Sequence, residues 1–79
     1  MLNEDVNEDV KLMRQKANHF FKQKKPIHIK YKKGFWKRGK ILEILKDFFL
    51  LDEFIEGKKA VFFLEIYDIV EYTKGDRNG

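Results

Sequence analysis

Residues 26–41 read Pro26-Ile27-His28-Ile29-Lys30-Tyr31-Lys32-Lys33-Gly34-Phe35-Trp36-Lys37-Arg38-Gly39-Lys40-Ile41, and this stretch decides the fold. Ile27, Ile29 and Tyr31 alternate with His28, Lys30 and Lys32, the period of two that a strand shows when one face is wet. Lys33-Gly34 marks a turn, and Phe35 to Leu45 reads as a long second strand with Gly39 inside it. A glycine within a strand marks a sharp bend or a place where another backbone comes close. Before Pro26 the period is different. Val6, Val10, Met13, Ala17, Phe20 and Phe21 recur at steps of three and four, which predicts an amphipathic helix over about residues 7–24 packed through that stripe. Asn3 or Asn7 can cap it, acids fall in its first turn and lysines in its last, and Pro26 stops it at or before Lys25.

Beyond Ile41 the signals continue in short units. Phe48 to Glu53 reads as a nearly all-apolar third strand and Glu56-Gly57-Lys58 as a hairpin turn. Ala60 to Glu65 reads as a fourth strand and Ile69 to Tyr72 as a short fifth, with Asp68 as a turn-former before it. Residues 73–79 read as a disordered tail. One helix followed by sequential short strands predicts a single, mainly β domain over residues 1–79, its sheet spanning about residues 26–72. The expected architecture is a five-stranded, strongly bent antiparallel sheet or small open barrel of the SH3-like kind.

A chain of 79 residues buries only about 60–65% of the surface its unfolded form exposes, so its core needs help. There is no cysteine to supply a disulfide, and His19 and His28 alone cannot complete a structural zinc site. Good packing or self-association remains, and the eight phenylalanines favour the latter. Catalysis has no visible basis: there is no cysteine, no serine and no histidine beside a nucleophile. The carboxylates of residues 43–71 lack metal-ligand spacing, and Gly34 with Gly39 does not make a phosphate-cradling loop. The expectation is a binding module, not an enzyme, with no cofactor, metal or small-molecule substrate. No run approaches the roughly 18–20 apolar residues that cross a bilayer, so no membrane association is expected. The acidic start is unlike a signal peptide, which with the missing cysteines points to the cytoplasm.

The net charge of +4 conceals a partition. Residues 1–10 carry −4; residues 11–40 carry twelve lysines or arginines and no acid; residues 41–72 carry eight acids against three lysines. Charge of one sign gathered in one part of a small domain makes a patch that attracts the other sign, and a phosphate backbone is a natural partner. Two plainer readings stand beside this: a solvated face, or a face that meets the acidic half of another subunit. Trp36 can be a stacking platform or a core aromatic, and Phe20, Phe21, Phe62 and Phe63 read as packing residues. His19 and His28 read as surface residues.

With these elements in place the chain resembles the Sm-like family, and most of all its bacterial Hfq branch. The likeness rests on a helix ending in Lys24-Lys25-Pro26, the alternation of Ile27, Ile29 and Tyr31, and the order Gly34, four residues, Gly39, Ile41. It continues through Phe48-Phe49-Leu50-Leu51 to Glu65-Ile66-Tyr67-Asp68-Ile69, covering roughly residues 12–72. The resemblance implies a homo-oligomeric ring, hexamer or heptamer, closed by pairing the fourth strand of one subunit with the fifth of the next. It implies single-stranded RNA as partner. It places Lys22, Lys24 and Lys25 at a basic rim, and Lys30, Lys32, Phe35, Trp36, Lys37, Arg38 and Lys40 on the first two strands, where the family takes purine-rich RNA. The family's stacking aromatic falls on Phe48 or, one residue earlier, on Asp47. Phe62-Phe63-Leu64 stands where the family carries its basic motif, which removes the cations from the pore-facing uridine pocket. Two other readings remain: a ring that serves protein interaction without RNA, and a basic small barrel that binds duplex DNA as a monomer.

Overall fold

The computed structural model describes residues 8–73. The expected caps Asn3 and Asn7, the stripe residue Val6 and all of the tail but Thr73 lie outside the described residues. The elements are helix α1 (Glu8–Lys22) and strands β1 (Ile27–Tyr31), β2 (Trp36–Ile44), β3 (Phe48–Glu53), β4 (Gly57–Phe62) and β5 (Ile66–Glu71), with a 3₁₀ turn over Phe63–Glu65. Among the described residues no helix is long and apolar enough to cross a membrane.

The helical period buries Met13 and Ala17 and seats Val10 and Phe20 against the core. Phe21 departs from the expected stripe: it points away and is 39% exposed. The helix closes with paired backbone bonds, Lys24 N–H to the Phe21 carbonyl and Lys25 N–H to that of Phe20, both 3.1 Å. This Schellman closure needs a left-handed residue at its apex, and Lys24 fills that place with φ 57°. At the other side of the helix, Lys16 donates to Asp68 of β5 at 2.5 Å. That hydrogen bond, more than any other influence, holds the Asp68 carboxyl below its ordinary range. Asp68 is therefore a strand residue tied to the helix and not the expected turn-former.

All strand pairs are antiparallel, in the order β4-β3-β2-β1-β5. The last strand thus returns beside the first, and the Tyr72 N–H reaches the Pro26 carbonyl at 3.0 Å. The sheet is open, with β4 and β5 as its two edges. Its registers shift once between Lys30 and Tyr31 against β5, and once between Ile41 and Glu43 against β3. Alternation in β1 sends Ile27, Ile29 and Tyr31 into the core, where they meet Ile41, Phe49, Leu51, Val61, Phe63, Ile66 and Ile69. Burying a side chain of this size contributes about 1.5–3 kcal/mol, so these rows dominate the stability. Gly39 lies so close to β3 that a Cβ there would stand 2.4 Å from the Asp52 carbonyl oxygen.

The fourth and fifth strands differ from their expected limits. The turn falls at Phe54–Glu56, not at Glu56-Gly57-Lys58, and β4 begins at Gly57. The cause is Glu53, a buried carboxylate whose Oε1 accepts the N–H groups of Ile55 (3.0 Å) and Glu56 (2.6 Å). A side chain that captures two amide donors fixes a turn immediately after itself. β4 consequently ends at Phe62. Phe63, Leu64 and Glu65 form the 3₁₀ turn, whose first N–H bonds the Asp47 carbonyl at 3.0 Å, and β5 starts early at Ile66.

Candidate nucleic-acid interface

On the sheet face turned away from the core, the β1–β2 register sets Lys30 opposite Trp36 and His28 opposite Arg38. Directly opposed side chains on an antiparallel pair touch, and here two cations and two rings form one block. The His28 ring centroid lies 4.1 Å from that of Trp36 and 6.1 Å, edge to face, from that of Tyr72. Phe54 extends the row, 5.8 Å from Tyr72. The Lys30 Nζ sits 5.6 Å from the Trp36 centroid and 5.2 Å from that of Tyr67, and the Arg38 guanidinium carbon sits 5.5 Å from the Tyr72 centroid. These distances are within the range of cation–π attraction.

Part of the cluster is open to solvent, with Trp36 47% exposed and Tyr67 63%, while His28 and Tyr72 are half-buried. Burial, and then the positive charge of Arg38, hold the His28 imidazole below its ordinary pKa. Near neutral pH it is an uncharged ring with one donor and one acceptor nitrogen. Open rings offer stacking surfaces, flanking cations offer phosphate contacts, and a neutral imidazole offers hydrogen bonds to a base edge.

Of the residues singled out in the sequence, Lys30, Trp36 and Arg38 come together here. Lys22, Lys24, Lys25 and Lys40 gather instead at a groove of about 610 Å³ between the end of α1 and β2. Phe35 leaves the face and stacks on Tyr31, 4.4 Å between centroids and 14° between planes, with the Lys37 Nζ 5.7 Å above it. The register explains this: Lys37 pairs with Ile29 on the inward row. Lys32 lines the same end of the sheet as Phe35. Phe48 lies near the far end of β2, half-buried and 5.0 Å from Phe62, so it is not part of the aromatic cluster. Arg14 lies near Phe48's end of the sheet and donates to the Lys46 carbonyl at 2.7 Å.

Four members of the cluster escape a reading of the sequence. His28 reads as a surface residue, although the β1–β2 alternation would have set it beside Trp36 and Arg38. Tyr67, Tyr72 and Phe54 have no local signal, because they reach the cluster only when β5 lies beside β1 and β3 beside β2. No family model matches the chain, and no curated protein is significantly similar to it.

Proposed function

We propose that the chain binds single-stranded RNA through the outer face of its sheet, as an Sm-like protein assembled into a homo-oligomeric ring. The observation that carries this reading is the cluster of His28, Lys30, Trp36, Arg38, Tyr67 and Tyr72, in which rings, Trp36 and Tyr67 well exposed among them, and cations lie within contact distance of one another. Bases stack on such rings at about 1–3 kcal/mol each, while the cations follow the phosphates. An unpaired strand can present both its bases and its backbone to a surface of this kind, whereas a duplex hides its base faces.

The Sm-like assignment draws support from the strand order, the helix before β1, and the two register shifts, which are devices that bend a strand. The ring draws support from the edges. β4 and β5 are each six residues long, and an unpaired edge invites another chain.

Filter binding with oligo-A, oligo-U and duplex DNA over a salt series, with mass measured in solution, tests both parts. The expected result is a multimer that retains single strands, with affinity falling steeply as salt rises. Replacing Lys30 and Arg38 together should weaken binding of every sequence. A monomer that prefers the duplex would overturn the proposal in favour of a DNA-binding barrel. A multimer that retains no nucleic acid would assign the ring to protein interaction alone.

A further inference from the structure

The groove between the end of α1 and β2 is chemically unlike the outer face. Lys22, Lys24, Lys25 and Lys40 surround it, with Asp52 as the only acid among the described residues of its lining. Lys25 pairs with Glu71 at 3.5 Å, whereas Lys22, Lys24 and Lys40 make no ion pair among the described residues. Its floor is apolar, and two floor residues are not taken up by the core: Phe21 is 39% exposed and Leu42 46%. Among the described residues no amide or hydroxyl side chain lines it. The lysine ammonium groups are the side-chain donors of the described lining, and the Asp52 carboxylate is its one side-chain acceptor, which repels a phosphate beside it.

Lys24 adds a second observation. It holds φ 57° at a helix-closing position where glycine or asparagine is the less strained choice. Strain retained at a solvent-exposed residue points to a use for its side chain, and here that side chain borders the groove.

We propose that this groove docks an acidic segment of a partner protein, anchored by large apolar side chains on Phe21 and Leu42 and held by the surrounding lysines. Charge complementarity selects acids, and the exposed floor selects apolar residues interspersed among them. The proposal stands apart from RNA binding on the outer face, since the two surfaces share none of the rings.

Fluorescence anisotropy of the full chain with a labelled peptide alternating glutamate with leucine and phenylalanine tests it. A polyglutamate peptide of equal length serves as the charge-only control, and oligo-A is titrated in parallel. The alternating peptide should bind at least about tenfold more tightly than polyglutamate. Phe21→Ser should weaken the peptide about tenfold and leave oligo-A unchanged. Should Phe21→Ser fail to fold, Leu42→Thr makes the same test. Lys24→Gly should weaken the peptide severalfold, and Trp36→Ala should weaken oligo-A alone. Equal binding of the two peptides, or no binding of either, would overturn the proposal. Loss of oligo-A binding in Phe21→Ser with the peptide unaffected would give the groove to RNA instead.

Discussion

Replacing Gly39 with alanine probes the closest backbone approach in the sheet. The added Cβ would stand 2.4 Å from the Asp52 carbonyl oxygen and 2.9 Å from both the Asp52 carbonyl carbon and the Glu53 Cα. Ordinary contact is about 3.5 Å, so β2 and β3 would have to part by roughly 1 Å at this rung. All three obstacles are backbone, so no side chain can turn aside to make room. The rungs at stake are Gly39 with Glu53 and Lys40 with Asp52, together with the 3.0 Å bond from Phe54 N–H to the Arg38 carbonyl. Overpacking costs about 1–3 kcal/mol, and each weakened hydrogen bond about 1 kcal/mol, so a loss of about 2–4 kcal/mol is expected. A domain of this length has roughly 4–12 kcal/mol in all, so the variant would be partly unfolded at modest urea concentrations. Urea unfolding followed by circular dichroism, at equal protein concentration, measures the change. A loss below about 0.5 kcal/mol would refute the close approach of β2 to β3.

Three further outcomes follow from other parts of the molecule. Lys24→Gly removes a left-handed lysine whose strain costs about 1–2 kcal/mol, while glycine's extra unfolded-state freedom takes back about 0.4–1 kcal/mol. The net is a gain of roughly 0.5–1 kcal/mol, visible as a raised urea midpoint, and a lowered midpoint would contradict the helix closure described above. Burial, with the charges of Glu65 and Glu53 behind it, pushes the Tyr31 hydroxyl up from about 10 to about 12. The unfolded chain releases this proton first, so the stability Tyr31 contributes is whole below pH 10 and declines between pH 10 and 12. In Tyr31→Phe that decline should be smaller in urea midpoints taken across the window, and an identical decline would contradict it. Trp36→Ala should weaken oligo-A by about 5- to 150-fold, the equivalent of one lost stacking interaction, with little change in unfolding midpoint. Unchanged affinity in filter binding would remove Trp36 from the interface.

The elements legible in the sequence are those specified by local periodicity. Val10, Met13, Ala17 and Phe20 announce the helix, and Ile27, Ile29 and Tyr31 announce β1 with its buried side. Gly39 announces the approach of β3. The β3–β4 turn is hidden because its cause is the buried Glu53 side chain, which reads as another surface acid until its partners are known. In Phe48–Leu51 and Phe62–Phe63 both faces carry apolar residues, so alternation cannot tell the buried Phe49 and Phe63 from the half-buried Phe48 and the exposed Phe62. The candidate site divides the same way. Lys30, Trp36 and Arg38 lie on two strands joined by a short turn, so residue spacing brings them together. Tyr72 and Phe54 are 18 residues apart and meet only through the sheet order, which is a non-local property.

Trp36 is the sole tryptophan of the chain and stands in the middle of the aromatic face, so its fluorescence reports directly on the proposed interface. Titrating oligo-A into the protein at low salt should quench this emission along a saturating curve. The same curve should shift to weaker binding as salt rises, because counterion release accompanies each phosphate contact. Binding of oligo-A by filter retention with the Trp36 emission unchanged would place the nucleic acid elsewhere and contradict the account.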